Sequence, residues 1–472
     1  MHLILRIAAC LSAAFLTVGC SSSDAKARAA LSDYQAAAAA NDMVGARMAL
    51  LQLVRAKDDV ADYWVQLGKV QATMGSYSDA YYSFTRAYEL NRSDPDVLRA
   101  VTELALRAGD IALAQSHAQE LQIVAPNDPW IKLTEGWSAI AQNEYDKALA
   151  ASDSLLANSP YDPSATGLKA RALIGLDRKE EAEALLIRQV QAQPSDSSNL
   201  QVLAKIYQGR EDWPKVAQIA GQLTSLNPDD TNDKLLLAEA NFRSGNMAAG
   251  RQVSLDLLKP NADSSVVSSV LDLWSDYWPS PQKVEDVRRL AFAAPRLEQR
   301  LVYARFLSRN GRPSDAVRLS SAAATLPVSA KTAEANAVLA DALSRGGNFN
   351  AAKSRFDAVL AYDPGNATAL RGRAELEVRT GHADAAVIDA QKLVTVLPTS
   401  SRDRILLAQS YSAAGKGRWA DRTLWAAFQE IPADEKIYAA LQATKKGNAE
   451  GLKDLEEEFT RQRNNSLNRG FM

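Results

Sequence analysis

Residues 61–94 read ADYWVQLGKVQATMGSYSDAYYSFTRAYELNRSD. Trp64 and Leu67, then Phe84 and Ala87, keep the three-residue step of one helix face. Gly75 interrupts the pattern between them, which predicts two helices joined by a tight turn. Gly68 and Ala80 are small where the two helices would cross. The pattern repeats outward. Pro126, Pro160, Pro194 and Pro228 follow one another at 34 residues, and Pro364, Pro398 and Pro432 return in the same frame. Ala46, Ala80, Ala114, Ala148, Ala182, Ala352, Ala386 and Ala420 keep that beat, as do Gly68, Gly136, Ala170, Ala204, Ala238, Ala340, Ala374 and Ala408. Three rows in one frame define a repeat, and a period of 34 marks a stacked array.

Trp64-x-x-Leu67-Gly68 followed by Ala80-x-x-x-Phe84-x-x-Ala87 resembles the tetratricopeptide repeat, departing from it at Gln71 and Arg92. The resemblance implies an all-α tetratricopeptide solenoid, a right-handed superhelix of about twelve 34-residue helix pairs, over residues 27–434. Its units would start at 27, 61, 95, 129, 163, 197, 231, 265, 297, 333, 367 and 401. Residues 27–264 hold units one to seven and 297–434 hold units nine to twelve. Between them, 265–296 is an irregular unit around Trp274-Ser275-Asp276-Tyr277-Trp278-Pro279-Ser280-Pro281. Its aromatics either fill a wedge where two half-arrays join or form a docking patch. Residues 435–444 and 449–463 are expected as capping helices within a C-terminal region, 435–472, that ends in a disordered tail.

The N-terminus reads differently. Arg6 precedes an apolar run from Ile7 to Val18, too short to span a bilayer and typical of an export leader. Leu16-Thr17-Val18-Gly19-Cys20 resembles a bacterial lipobox, with Thr17 where leucine is usual. The resemblance implies a signal peptide over 1–19, a lipid on Cys20, a tether over 20–26 and, with Ser21 after the cysteine, the periplasmic face of the outer membrane. Cys10 and Cys20 are the only cysteines, so no disulfide framework exists beyond them.

Chemistry is sparse. The 54 basic and 56 acidic residues nearly balance, which gives no basic stripe for nucleic acid. His117 and His382, both expected at the surface, lie far apart along an array, so no metal site or catalytic constellation is expected, and no cofactor apart from the lipid on Cys20. The chain reads as a non-enzyme.

What remains is binding. In tetratricopeptide arrays the second, fifth, ninth and twelfth positions of a unit face the concave groove. Here they give Trp130, Leu133, Trp137 and Ile140, and later Leu235 and Phe242. Most other such positions are polar or charged, among them Arg99, Glu103, Arg171, Lys205, Arg305, Asp341, Arg371, Glu375 and Arg402. The two tryptophans either anchor a partner or pack on a neighbouring helix. The layout resembles the lipid-anchored tetratricopeptide proteins of exopolysaccharide export and PEP-CTERM-linked systems. That implies an envelope scaffold binding other envelope proteins. The alternatives are a localiser of a cell-wall (peptidoglycan) enzyme or a pilus-assembly lipoprotein.

Overall fold

A computed structural model of the 472-residue chain describes residues 23–446 and 448–469. The expected leader, lipid site and start of the tether lie outside them. The described residues form 26 helices and no strand. Helix α1 covers residues 23–39 and α2 Met43–Ala56. Pairs then follow as α3 Ala61–Thr73 with α4 Tyr77–Leu90, α5 Pro95–Arg107 with α6 Ile111–Val124, and α7 Pro129–Ala141 with α8 Tyr145–Asn158. Next come α9 Pro163–Gly175 with α10 Lys179–Ala192, α11 Ser197–Gly209 with α12 Trp213–Leu226, and α13 Thr231–Arg243 with α14 Met247–Leu257. The later pairs are α15 Ser264–Tyr277 with α16 Gln282–Ala293, α17 Leu297–Arg309 with α18 Pro313–Ser320, and α19 Ala333–Arg345 with α20 Phe349–Tyr362. Then α21 Ala367–Arg379 pairs with α22 Ala383–Val396, α23 Ser401–Ala413 with α24 Gly417–Glu430, and α25 Glu435–Thr444 with α26 Ala449–Arg469. The fold is an all-α tetratricopeptide solenoid.

Local chemistry sets each boundary. Asp94, Asp128, Asp162 and Asp230 cap α5, α7, α9 and α13, each accepting from backbone N–H groups of the first turn; Asp128 accepts from Trp130 at 2.9 Å. Such a cap contributes about 0.5–2 kcal/mol. Pro95, Pro129 and Pro163 occupy first helical positions, where a missing N–H costs nothing. Pro126 and Pro160 stand just after the caps Ala125 and Ser159 that end α6 and α8, where they prevent continuation. Between most paired helices one residue takes a left-handed conformation. Gly75, Gly109, Gly245, Gly311, Gly347, Gly381 and Gly415 do so with glycine, while Asn41, Asn143, Asp177 and Glu211 do so with a side chain.

Close crossings explain the small residues. A Cβ on Gly68 would lie 2.8 Å from the Phe84 ring, and Ala80 is fully buried beside it. The chain divides into two compact bodies between Asn199 and Leu200. In the first, an N-terminal apolar cluster runs from Ala27 to Leu104 around Leu50, Leu53 and Phe84. In the second, one cluster centres on Trp274 and Tyr303, and another runs from Ala333 to Phe459.

Three expectations need correction. Helix α1 begins at residue 23, inside the expected tether; Ser23 donates to the Ala56 carbonyl, and Asp24 pairs with Lys57 at 2.6 Å, which fastens its first turn to the end of α2. Helix α26 continues to Arg469, past the expected end at 463. The helical pattern also survives further into the aromatic stretch than expected, since α15 runs to Tyr277. Trp274 is fully buried, and Trp278 packs on it edge-on at 4.9 Å while stacking on Phe242 at 6.1 Å. These aromatics fill a wedge inside the second body.

Candidate partner-binding surfaces

In the first body the four groove positions expected on α7 are half filled. Leu133 and Ile140 are buried in a cluster with Leu168 and Ala172 of α9. Trp130 and Trp137 are half-buried and pack on the same cluster. The reason is geometric. At 3.6 residues per turn, positions two and nine share one line along the helix, and five and twelve share another about 60° away. The second line turns into the neighbouring first helix, so Leu133 and Ile140 are core. The same displacement buries Phe242 and leaves Leu235 partly buried against the cluster around Trp274. The expectation of an open groove therefore fails for Leu133, Ile140 and Phe242.

Trp130 and Trp137 keep one open side each. Trp130 lines a cavity of about 510 Å³ with Pro126, Lys132, Leu155 and Asp162. Arg171 lies over the Trp137 ring at 4.8 Å, a cation–π contact, and burial pushes its pKa down to about 10. His117, expected at the surface, is buried with its ring edge-on to Tyr88 at 5.0 Å; burial lowers its pKa. His382 is exposed, as expected.

In the second body the first helices carry charge instead. Arg305 pairs with Glu334 at 3.0 Å and donates to Thr368 at 3.3 Å. Asp341 accepts from Ser308 at 2.9 Å and pairs with Arg345 at 3.0 Å. Arg345 and Arg402 both hold Glu375. Arg371 meets Asp403 through two bonds of 2.6 and 2.7 Å. Ser401 donates to Asp434, Lys436 pairs with Asp276 at 2.9 Å, and Arg243 meets Glu435 at 3.0 Å. The last pair joins α13 to α25, six repeats apart, so the circuit of contacts around this inner face closes on itself.

Five members of that circuit, Arg305, Asp341, Arg371, Glu375 and Arg402, stand at groove positions of the repeat. Arg243, Arg309 and Arg345 were not found that way. All three end their helices one position beyond the twelfth, a row visible only once the helix ends are known. Asp272 and Arg309 touch water but are enclosed on most sides. Burial raises the pKa of Asp272 and Glu239. Burial, with Arg402 nearby, pushes Arg309 down to about 9, so it stays charged at neutral pH. Burial likewise pushes the Tyr277 hydroxyl up to about 12. A cavity of about 650 Å³ opens here, lined by Arg243, Asp276, Tyr277, Arg402, Glu435 and Lys436.

Among the described residues no group of three or more His, Cys, Asp or Glu is placed to hold a metal ion, and no helix is long and apolar enough to cross a membrane.

The sequence matches a family model described as "Psidin, N-terminal TPR repeats region" over residues 132–268 and one described as "Tetratricopeptide repeat" over 337–400. Phagocyte signaling-impaired protein of Aedes aegypti is 31% identical over 143 residues, which is 30% of this chain. The match spans 15% of that relative's length. A solved tetratricopeptide repeat protein from Parabacteroides merdae is 15% identical with a TM-score of 0.40, covering 53% of this chain and 99% of that one. PilW, described as a widely conserved type IV pilus biogenesis factor, is 18% identical with a TM-score of 0.34, covering 48% and 98%. Repeat period, helix pairing and family models agree: this chain carries tetratricopeptide repeats.

Proposed function

We propose that the chain is a lipid-anchored scaffold that holds proteins of a bacterial envelope machine together, serving exopolysaccharide export or secretion. The observation that carries the scaffold reading is the stack of helix pairs itself. Each body displays a row of first helices with side chains that reach solvent, Trp130 and Trp137 in one and Arg402 and Glu435 in the other, which can contact a partner. Proteins built from tetratricopeptide repeats generally act as non-catalytic scaffolds that bind other proteins. The lipid anchor rests on Leu16–Cys20, and the assignment to export rests on the combination of that motif with a long repeat array. An anchored Cys20 would stand three residues from α1, within about 10 Å of it, so the first repeat would sit at the membrane surface.

The test is fractionation of cells expressing the chain and its Cys20→Ser variant, with mass spectrometry of the mature N-terminus and of co-purifying proteins. The reading expects a tri-acylated Cys20 in the outer-membrane fraction, release of the variant from it, and recovery of export components. An unmodified Cys20, or recovery of a peptidoglycan enzyme alone, would overturn the anchor or the assignment respectively.

A further inference from the structure

The two ends of the second body meet through charge. Arg243 on α13 holds Glu435 on α25 at 3.0 Å, and Asp276 at the end of α15 holds Lys436 at 2.9 Å. Arg463 on α26 holds Glu211 at 2.8 Å and donates to the Gly209 carbonyl at 3.2 Å. These contacts bridge 192 and 254 residues of chain at Arg243 and Arg463. Every pair has a partner in water: the Glu435, Lys436 and Glu211 side chains are 53, 55 and 52% exposed.

The same two helices are attached to the C-terminal repeats in another way. Ile437, Leu441 and Leu455 are fully buried in the cluster that begins at Ala333, and Phe459 stacks on Tyr438 at 4.1 Å and on Phe428 at 6.4 Å. Apolar burial of this kind is not weakened by charge screening, whereas ion pairs with a solvent-exposed partner are weak and screened. The fastening is therefore lopsided: α25 and α26 are bound to one end of the body by a core and to the other by three half-exposed ion pairs and the bond from Arg463 to the Gly209 carbonyl.

We infer that α25 and α26 form an electrostatic clasp that closes the inner face of the second body and opens as a unit, hinged on the C-terminal repeats. Glu435 and Lys436 line the cavity of about 650 Å³ beside Arg402 and Tyr277, so opening the clasp widens the way to the charged inner face. The inner face is self-paired while the clasp is shut. A partner bearing its own charges gains access by exchanging with these pairs, which deepens the scaffold reading and rests on it.

The clasp is tested without any partner. Spin labels are placed at Asp229→Cys and Lys453→Cys in the full chain carrying Cys10→Ser and Cys20→Ser, and their separation is measured by pulsed electron resonance. At about 50 mM salt one narrow distance is expected. At 1 M salt, where the screening length falls to about 3 Å, a second, longer distance appears. In the Arg243→Gln, Lys436→Gln, Arg463→Gln triple variant the longer distance dominates at low salt. The paired exchange of Arg243→Glu with Glu435→Arg restores the short one. Circular dichroism identical to the parent's shows that the repeats themselves stay folded. A distance distribution indifferent to salt and to the triple variant would overturn the clasp. A clasp that responds as expected in a protein that recovers no envelope partner would leave the clasp standing and remove the scaffold reading.

Discussion

Arg371 and Asp403 face each other across adjacent repeats through two parallel N–H···O bonds of 2.6 and 2.7 Å, with the Asp403 side chain fully buried and Arg371 nearly so. A forked guanidinium on a carboxylate is the strongest geometry such a pair can take. Its removal by halves is costly, because the remaining charge stays out of water. Asp403→Ala is expected to cost about 3–5 kcal/mol. Replacing both, as Arg371→Met with Asp403→Leu, should recover most of that loss. Urea denaturation of the three variants checks this; a cost below about 1 kcal/mol for Asp403→Ala would contradict a buried pair.

The crossing of α3 and α4 depends on Gly68. Its absent Cβ leaves room for the Phe84 ring, which would otherwise lie at 2.8 Å. Gly68→Val should destabilise the first body by about 1–3 kcal/mol through overpacking. Phe84→Leu in the same chain should return part of it. Thermal melting of the single and double variants gives the comparison; two additive losses would show that these side chains do not meet.

Burial holds His117 neutral in the folded state, against the ring of Tyr88 and with Glu120 as the nearby carboxylate opposing the shift. The unfolded chain then binds more protons than the folded one between the depressed value and about 6.5. Stability from this site is present above pH 6.5 and is lost as pH falls through the folded value. The melting temperature should therefore drop from pH 7 to pH 5 less steeply in His117→Phe than in the parent. Equal slopes would mean that His117 is not the group responsible.

Trp278 lies between Trp274, which it meets edge-on, and Phe242, on which it stacks, in the wedge of the second body. Trp278→Ala should cost about 3–5 kcal/mol, as buried aromatic truncations do. Because the ring is internal, partner recovery at a temperature where the variant remains folded should be unchanged. Lost recovery from a folded variant would return the aromatic stretch to the surface.

The repeat was legible because its rows are strictly local. Pro126 and Pro160 end one helix, Gly75 and Gly109 turn the next, and both act within a few residues of themselves. The turns at Asp177 and Glu211 carried a weaker signal, since aspartate only tolerates a left-handed backbone and glutamate does not favour it. Leu133 and Ile140 were misplaced because groove positions were treated as one stripe, whereas two lines about 60° apart have different fates. The meeting of Arg243 with Glu435 was invisible for a deeper reason. A repeat period specifies how neighbours stack, and a contact six repeats apart depends on the small rotation accumulated from each one.

On the proposed function, the inner rows of the repeats hold partner proteins. Photo-crosslinking in living cells tests it most directly, with a benzophenone amino acid at Trp137 and Arg402 on the inner rows and at Tyr82 and Ile388, 61 and 66% exposed, away from them. Discrete crosslinked proteins are expected from Trp137 or Arg402, with none in common with Tyr82 or Ile388. Crosslinks confined to Tyr82 and Ile388, or none at any of the four, would contradict it.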